Sequence, residues 1–260
     1  MTEQTQPSAA LIVIASEVLS GRTIDSHIAR LARWTRQQGI ALRHACVVPD
    51  DRQEIIAAIR YVHDVHDHVF TAGGLGATHD DMTVHAVAEA LERPIVLNEE
   101  VEASLREYYG ERLREAHLKL AYLPSGAEIF MAADRSSGVI RVGKVVLLTG
   151  IPDTADAMLE VLRGHISGGP LMGQRVWGTD LAEETFVDDL ATIQNRFADC
   201  SVASYPLWRK GRSGTNIVLE GLDPDQLDQC SAALRDCLVR LGGTAVAGGL
   251  DRDSDSQPAP

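Results

Sequence analysis

Apolar residues along this chain switch between two spacings. Residues 10–15 (ALIVIA) form an unbroken apolar run, which predicts a strand buried on both faces. After a loop containing Gly21, Ile24, Ile28, Leu31 and Trp34 recur at helical spacing until Gly39. Residues 41–48 (ALRHACVV) read as the next strand. Pro49-Asp50-Asp51 ends it and caps a helix carrying Ile55, Ile56, Ile59 and Val62. A third strand covers 67–71, followed by a glycine-rich loop and a helix through Val84, Val87, Ala88 and Leu91. Asn98 caps a helix through Val101, Leu105 and Tyr108. Residues 120–131 read as a loop entering a short strand, and residues 135–150 as a β-hairpin around Val142-Gly143-Lys144. A helix then begins near Asp153, its expected cap.

Strands and helices alternating at such short intervals predict an α/β fold with a doubly wound, mostly parallel sheet. In such sheets ligands gather at the carboxyl ends of the strands. The order changes after the glycine-rich stretch HISGGPLMGQ. A strand (175–178), a helix (181–197), a strand (201–205), a turn (208–214), a strand (216–221) and a helix opened by Asp223-Pro224 predict a small α+β domain. The expected boundaries are 9–168 for the first domain and 174–248 for the second, with tails at 1–8 and 251–260.

Composition narrows the chemistry. The chain has 260 residues, 45% hydrophobic, enough to bury a sizeable core. It has no apolar run of about 18 residues, so no membrane span is expected. The start, MTEQTQPSAA, lacks the basic and apolar regions of a signal peptide. The net charge of −13 argues against a nucleic-acid partner. A phosphorylated ligand must instead be held locally, by backbone N–H groups, a few cations or a metal ion. Cys46, Cys200, Cys230 and Cys237 form no CxxC pair. Cys230 and Cys237 would stand about 10 Å apart on a helix, too far for a disulfide. Buried thiols in a reduced, cytoplasmic protein are expected.

The segment TAGGLGATHDDMT (71–83) concentrates the candidate chemistry at a strand-to-helix junction. Gly73, Gly74 and Gly76 permit positive φ and a close approach of backbone to a ligand, and successive N–H groups there can form an anion nest. The loop is neither a Walker A loop nor a GxGxxG turn. Asp80 and Asp81 can be helix caps, or they can hold a divalent cation such as Mg²⁺ that bridges them to phosphate. Asp50, at the end of another strand, can be a helix cap or a group facing the same rim. Asp25, after the first strand, can reach that rim too.

The segments SEVLSGRTIDS, VVPDDRQEI, TAGGLGATHDDMT, AYLPSGAEI and VVLLTGIPDTADAML, in this order and spacing, resemble the MoaB/Mog family of molybdopterin-binding domains. The pattern is most similar to the amino-terminal part of CinA proteins, which resembles the corresponding domain of eukaryotic FAD synthases. The likeness covers about residues 10–165, and the later β-α-β-β-α segment resembles the small domain that follows in CinA proteins.

The resemblance implies a pocket for molybdopterin or an adenine nucleotide, with metal-dependent hydrolysis or transfer at a pyrophosphate, or binding without turnover. It implies Asp50 and Asp81 as catalytic residues, with Asp80 and Asp81 on the metal. Thr71, Gly73, Gly74, Gly76, Thr78, Thr83, Ser125, Gly126 and Gly150 would line the ligand pocket. It also implies a homo-oligomer, dimer or trimer. The chain leaves no room for the carboxy-terminal amidohydrolase domain of full-length CinA, so nicotinamide-nucleotide deamidation is not expected. The pattern departs from the family at Ala72, Ala77, the reduced Arg135–Val139 stretch, Thr149-Gly150-Ile151-Pro152, and Ser16, where Gly or Thr is common.

His63, His66 and His68 could ligate a metal or form a solvated helix end. His79 could donate to a phosphate or lie free on the surface. The basic cluster Trp208-Arg209-Lys210-Gly211-Arg212 could grip a phosphate or polynucleotide, but reads more simply as a hairpin turn. Tyr108 and Tyr109 read as packing residues. No Ser-His-Asp order supports acyl transfer.

Overall fold

The computed structural model describes residues 5–132, 138–209 and 212–250. It divides into two compact units, Met1–Gly169 and Pro170–Pro260. In the first, β1 (Ser8–Ile14) leads into a short helix α1 (Ser16–Leu19), then α2 (His27–Gln37), β2 (Ala41–Val48), α3 (Arg52–His63), β3 (His68–Ala72) and α4 (Thr83–Ala90). Next come β4 (Ile95–Leu97), α5 (Glu99–Tyr109), α6 (Glu115–Leu118), β5 (Tyr122–Pro124), β6 (Ala127–Met131), β7 (Gly138–Val142), β8 (Val145–Leu148) and α7 (Pro152–Leu162).

Six strands form one sheet in the order β2-β1-β3-β8-β7-β6, and β4 pairs with β5 in a separate ribbon. β2, β1, β3 and β8 are parallel; β7 and β6 add an antiparallel edge. The apolar run of β1 divides by alternation. Ala9, Leu11 and Val13 face one core, which α2 and α7 close with Leu31, Trp34, Met158, Leu159 and Leu162. Ala10, Ile12 and Ile14 face the other, which α3 and α4 close with Ile55, Ile56, Ile59, Val62 and Val87. The Trp34 ring stands edge-on to Phe70 of β3, centroids 6.1 Å apart. A sheet covered on both faces by helices needs strands apolar on both faces, and this requirement accounts for residues 10–15.

The second unit contains β9 (Gly173–Thr179), α8 (Val187–Arg196), β10 (Cys200–Arg209), β11 (Arg212–Gly221), α9 (Pro224–Arg240) and β12 (Val246–Ala247). Its antiparallel sheet runs β10-β11-β9-β12. A core of Phe186, Ile193, Phe197, Ile217, Leu219, Leu227 and Leu234 lies between sheet and helices. The Trp177 Nε1–H donates to Ser231 Oγ of α9 at 2.8 Å. Cys200, Cys230 and Cys237 are buried and Cys46 half-buried, all as free thiols. Burial, with Cys200 as neighbour, pushes the Cys230 thiol up to about 11.

The fold is the doubly wound, mostly parallel sheet with a small α+β unit expected above, and several local expectations change. Ile24 lies outside α2 and is 93% exposed. α8 begins at Val187 after a 3-10 turn at Glu183–Thr185, six residues later than the periodicity suggests. Leu181 is held by the sheet instead, its carbonyl accepting from Thr215 Oγ1 at 3.0 Å. α7 has Ile151 at its cap position with no side-chain cap, and Asp153 pairs with Arg30 at 3.0 Å. Tyr108 is 74% exposed, and Tyr109 stacks on His117. The short strands β4 and β12 went unforeseen, because two or three residues carry no readable period. Among the described residues no helix is long and apolar enough to cross a membrane.

Candidate functional site

The carboxyl ends of β1, β2, β3 and β8 bring four loops to one rim. Asp50 follows β2 and Ser16 follows β1. The Ser16 N–H donates to Asp50 Oδ2 at 2.9 Å, and the Asp50 N–H donates to Ser16 Oγ at 3.0 Å. Asp50 is therefore not a helix cap. Asp51 caps α3 instead, accepting from the N–H groups of Gln53 and Glu54. Asp25 sits in the loop after α1, one residue before the α2 cap position Ser26, and accepts from the N–H groups of His27 and Ile28 at 3.1 and 3.0 Å.

Gly73 stands at the centre of the rim. Its φ is +111°, and a Cβ there would run into the Ile14 carbonyl oxygen of β1. Only glycine relieves both constraints. Its N–H donates to Leu148 O at 3.0 Å, and its carbonyl accepts from Thr83 Oγ1 at 2.8 Å. Gly150, after β8, packs so closely that a Cβ on it would stand 3.3 Å from the Gly73 Cα. His27, the first residue of α2, reaches the same place: its Nε2 lies 3.2 Å from Gly150 O. A carbonyl can only accept, so Nε2 carries the proton in this contact.

The outer part of the loop is organised by Asp81. Its Oδ1 accepts from Gly76 N–H at 2.6 Å, and its Oδ2 accepts from Thr78 N–H at 2.8 Å and from the Thr78 hydroxyl. A Cβ on Gly76 would strike this carboxylate, so glycine is needed there for Asp81 itself. Asp80 Oδ1 also lies within reach of Thr78 Oγ1, at 2.6 Å, and this hydroxyl holds the Asp80 carboxyl below the ordinary carboxylate range. Neither aspartate caps α4, whose cap position is Met82 with no side-chain hydrogen bond. His79 is 97% exposed, with Nδ1 4.0 Å from Asp80 Oδ1.

The structure thus gathers Asp50, Gly73, Gly74, Gly76, Thr78, Asp80, Asp81 and Gly150 on one rim. It treats the other expected residues differently. Thr83 is fully buried and its hydroxyl is committed to Gly73 O. Thr71 is fully buried within β3, and its Oγ1 has no partner among the described residues. Ser125 and Gly126 lie at the opposite edge of the sheet. Gly126 precedes Ala127, which pairs with Val142; Val142 pairs with Val145, and Val145 with Val69 at the amino end of β3. That edge is about 13 Å from Gly73 across the length of β3. There Ser125 N–H donates to Pro94 O and Arg93 donates to Ser125 O, both at 2.8 Å.

Ser16 and His27 are the rim residues that the sequence reading did not place. Ser16 stood out only as a departure from a pattern, and no sequence signal marked His27. The histidines of HDVHDH do not converge: His63 contacts Asp64, His66 lies beyond α3 with its ring 6.2 Å from His44, and His68 Nε2 meets Ser167 O at 2.9 Å. Among the described residues no group of three His, Cys, Asp or Glu is placed to hold a metal ion. Residues 135–137 of the shortened stretch, and the tip residues 210–211 of the basic turn, lie outside the described residues. The β10–β11 register closes at Arg209 and Arg212 on either side of that tip, and Trp208 is 73% exposed.

Comparison with known proteins bears on both units. Residues 10–166 match the family described as "Probable molybdopterin binding domain", and residues 173–241 match "FAD synthase, middle domain". A protein of Thermoplasma acidophilum is 30% identical over 251 residues, covering 92% of this chain and 96% of its own. A probable FAD synthase of Caenorhabditis elegans is 26% identical over 260 residues; the alignment takes in 89% of this chain and 50% of that protein, so the chain spans about half of this relative. The crystal structure of the protein CinA from T. acidophilum, of unknown function, shares 30% identity at a TM-score of 0.56. It covers 61% of this chain and 97% of that one.

Proposed function

We propose, for a chain that belongs to the probable molybdopterin binding domain family and is similar to CinA proteins, that its first unit seats a phosphorylated pterin or adenine nucleotide on the carboxyl rim and promotes displacement at the ligand's pyrophosphate. The supporting observation is the close stacking of Gly73 on Gly150 at the ends of neighbouring parallel strands. It leaves the middle of the rim without side chains, so that a phosphoryl group can come close to the main chain there. The match of the second unit to an FAD synthase domain favours a ligand containing a pyrophosphate. We assign binding to residues 9–168 and leave 174–248 as a separate small domain.

The donor set at the rim is all oxygen: Asp80, whose side chain is 64% exposed, Asp81 beside it, and the Thr78 hydroxyl between them. That set fits Mg²⁺, which takes one or two carboxylates and completes its shell with water and ligand phosphates. When bound, the ion supplies charge neutralisation at the pyrophosphate oxygens. Asp50 faces the rim from β2 and is fixed by Ser16, a rigid carboxylate suited to orient an attacking water or hydroxyl. His27 anchors the Gly150 carbonyl, keeping the β8 loop against Gly73.

A second reading, binding without turnover as carrier or sensor, is favoured by the engagement of both Asp81 oxygens within the loop and by the departures at Ala72 and Ala77. Incubation with ADP-ribose, FAD and a dinucleotide pyrophosphate, each with Mg²⁺, Mn²⁺ or Co²⁺, separates the two. Metal-dependent product supports catalysis, and tight binding without product moves the assignment to the carrier role. Neither binding nor product overturns both. The resemblance also supports a homo-oligomer, dimer or trimer, which sedimentation velocity would test.

A further inference from the structure

The glycine loop carries an anion of its own. The Asp81 carboxylate sets one oxygen on Gly76 N–H at 2.6 Å and the other on Thr78 N–H at 2.8 Å. A phosphoryl group offers two oxygens at nearly the same span and would occupy the same two donors. Resting on the reading that such a group binds this rim, we propose that Asp81 is an internal stand-in that closes the loop and that the terminal phosphate or pyrophosphate of the ligand displaces.

Three features of the loop fit a displaceable group. Asp81 has no cation partner among the described residues; only loop N–H groups and the Thr78 hydroxyl hold it. Gly76, Ala77 and Thr78 are exposed, so an incoming anion reaches their N–H groups from solvent. The ends of the loop are fixed independently: Gly73 N–H to Leu148 O, Thr83 N–H to Gly74 O, and Thr83 Oγ1 to Gly73 O. Release of Asp81 therefore leaves the rest of the rim in place.

Thr78 supplies the two-state element. Its hydroxyl oxygen is within hydrogen-bond distance of both Asp80 and Asp81, but it has one proton and serves one carboxylate at a time. With Asp81 on the loop, Thr78 closes the ring of donors around it. With Asp81 displaced, that proton passes wholly to Asp80, and Asp81 swings free beside Asp80 as the phosphate arrives. Anion binding and the assembly of two carboxylates for a cation become one event.

Calorimetric titration of the full chain with inorganic pyrophosphate, metal chelated by EDTA, tests this in wild type, Asp81→Ala and Asp81→Asn. Both variants lose the charge, but the asparagine carboxamide oxygen still accepts from a loop N–H. We expect Asp81→Ala to bind about tenfold more tightly than wild type and Asp81→Asn to gain only about twofold. Faster hydrogen exchange at the Gly76 and Thr78 amides should accompany the alanine change. Equal gains in the two variants would mean that charge removal alone acts and would overturn the proposal, as would no gain in either. If neither wild type nor Asp81→Ala binds pyrophosphate although the two amides exchange freely, the phosphoryl-site reading fails, and the stand-in role with it. Should Asp81→Ala not fold, Asp81→Asn decides alone: protected loop amides with an affinity gain of about twofold support the proposal, and no gain, or a gain near tenfold, overturns it.

Discussion

Ser16 and Asp50 exchange two hydrogen bonds, the Ser16 N–H donating to Asp50 Oδ2 at 2.9 Å and the Asp50 N–H donating to Ser16 Oγ at 3.0 Å, although 34 positions separate them in the chain. The pair couples the loop after β1 to the loop after β2 and fixes a carboxylate at the rim. Asp50→Ala leaves the half-buried Ser16 N–H without its acceptor and should cost about 1–2 kcal/mol. Asp50→Asn keeps an oxygen in place and should cost about half that. Thermal melting of the two variants checks the order; equal losses would mean that the bond is not what matters.

Gly73→Ala meets both a positive φ and the Ile14 carbonyl oxygen. Gly143 also has positive φ, but none of the described residues comes within 4 Å of the place its Cβ would occupy. Gly143→Ala should therefore cost about 1 kcal/mol from backbone strain alone. Gly73→Ala should cost at least about 3 kcal/mol, or fail to give folded protein. Denaturant midpoints for the two variants provide the measurement.

Thr71 carries a buried hydroxyl with no partner among the described residues. Replacing it by valine removes a desolvated polar atom at nearly constant shape, so Thr71→Val should be neutral or stabilise by about 0.5–1 kcal/mol. Ligand affinity should not change. A clear loss of affinity would mean that the hydroxyl does face the ligand.

Thr83→Val tests the opposite case. This hydroxyl is committed to Gly73 O in a fully buried position. Its removal leaves a carbonyl short of a donor at the centre of the rim and should cost about 1–3 kcal/mol. Melting would register the loss, and hydrogen exchange should show the amides of residues 73–76 opening more often.

Acid should weaken the first unit through His66 and His68. Burial is the largest cause lowering the pKa of both, with the nearby His44 adding to the effect at His66. A histidine whose folded pKa is lowered binds fewer protons folded than unfolded. Its contribution is complete above the ordinary histidine value of about 6.5 and is lost as pH falls from there toward the lowered folded value. The melting temperature should fall between about pH 7 and pH 5, and His66→Asn with His68→Asn should flatten that slope. An unchanged slope in the double variant would count against this account.

The sheet was legible because its evidence is local. Six consecutive apolar residues in β1, and the fully buried Val145–Leu148, announce strands covered on both faces, and the spacing of Ile55, Ile56, Ile59 and Val62 announces a helix. Asn98 and Asp223 were readable as caps because each immediately precedes the helix whose N–H groups it accepts. The glycine-rich signature was readable as a unit for the same reason.

Sequence by itself determined the layered α/β plan, the second α+β unit and the glycine-rich loop at a strand-to-helix junction, since burial patterns and glycine content are properties of neighbouring residues. Tertiary structure alone decided what each polar group in that loop touches. Asp51 rather than Asp50 caps α3, and Asp81 turns back onto Gly76 instead of capping α4. Ser125 and Gly126 fall at the far edge of the sheet because β6 begins where β8 begins. The physical reason is that a hydrogen bond is directional and short. Which of two adjacent carboxylates makes it depends on where the backbone points after the strands have paired, and no period along the chain records that.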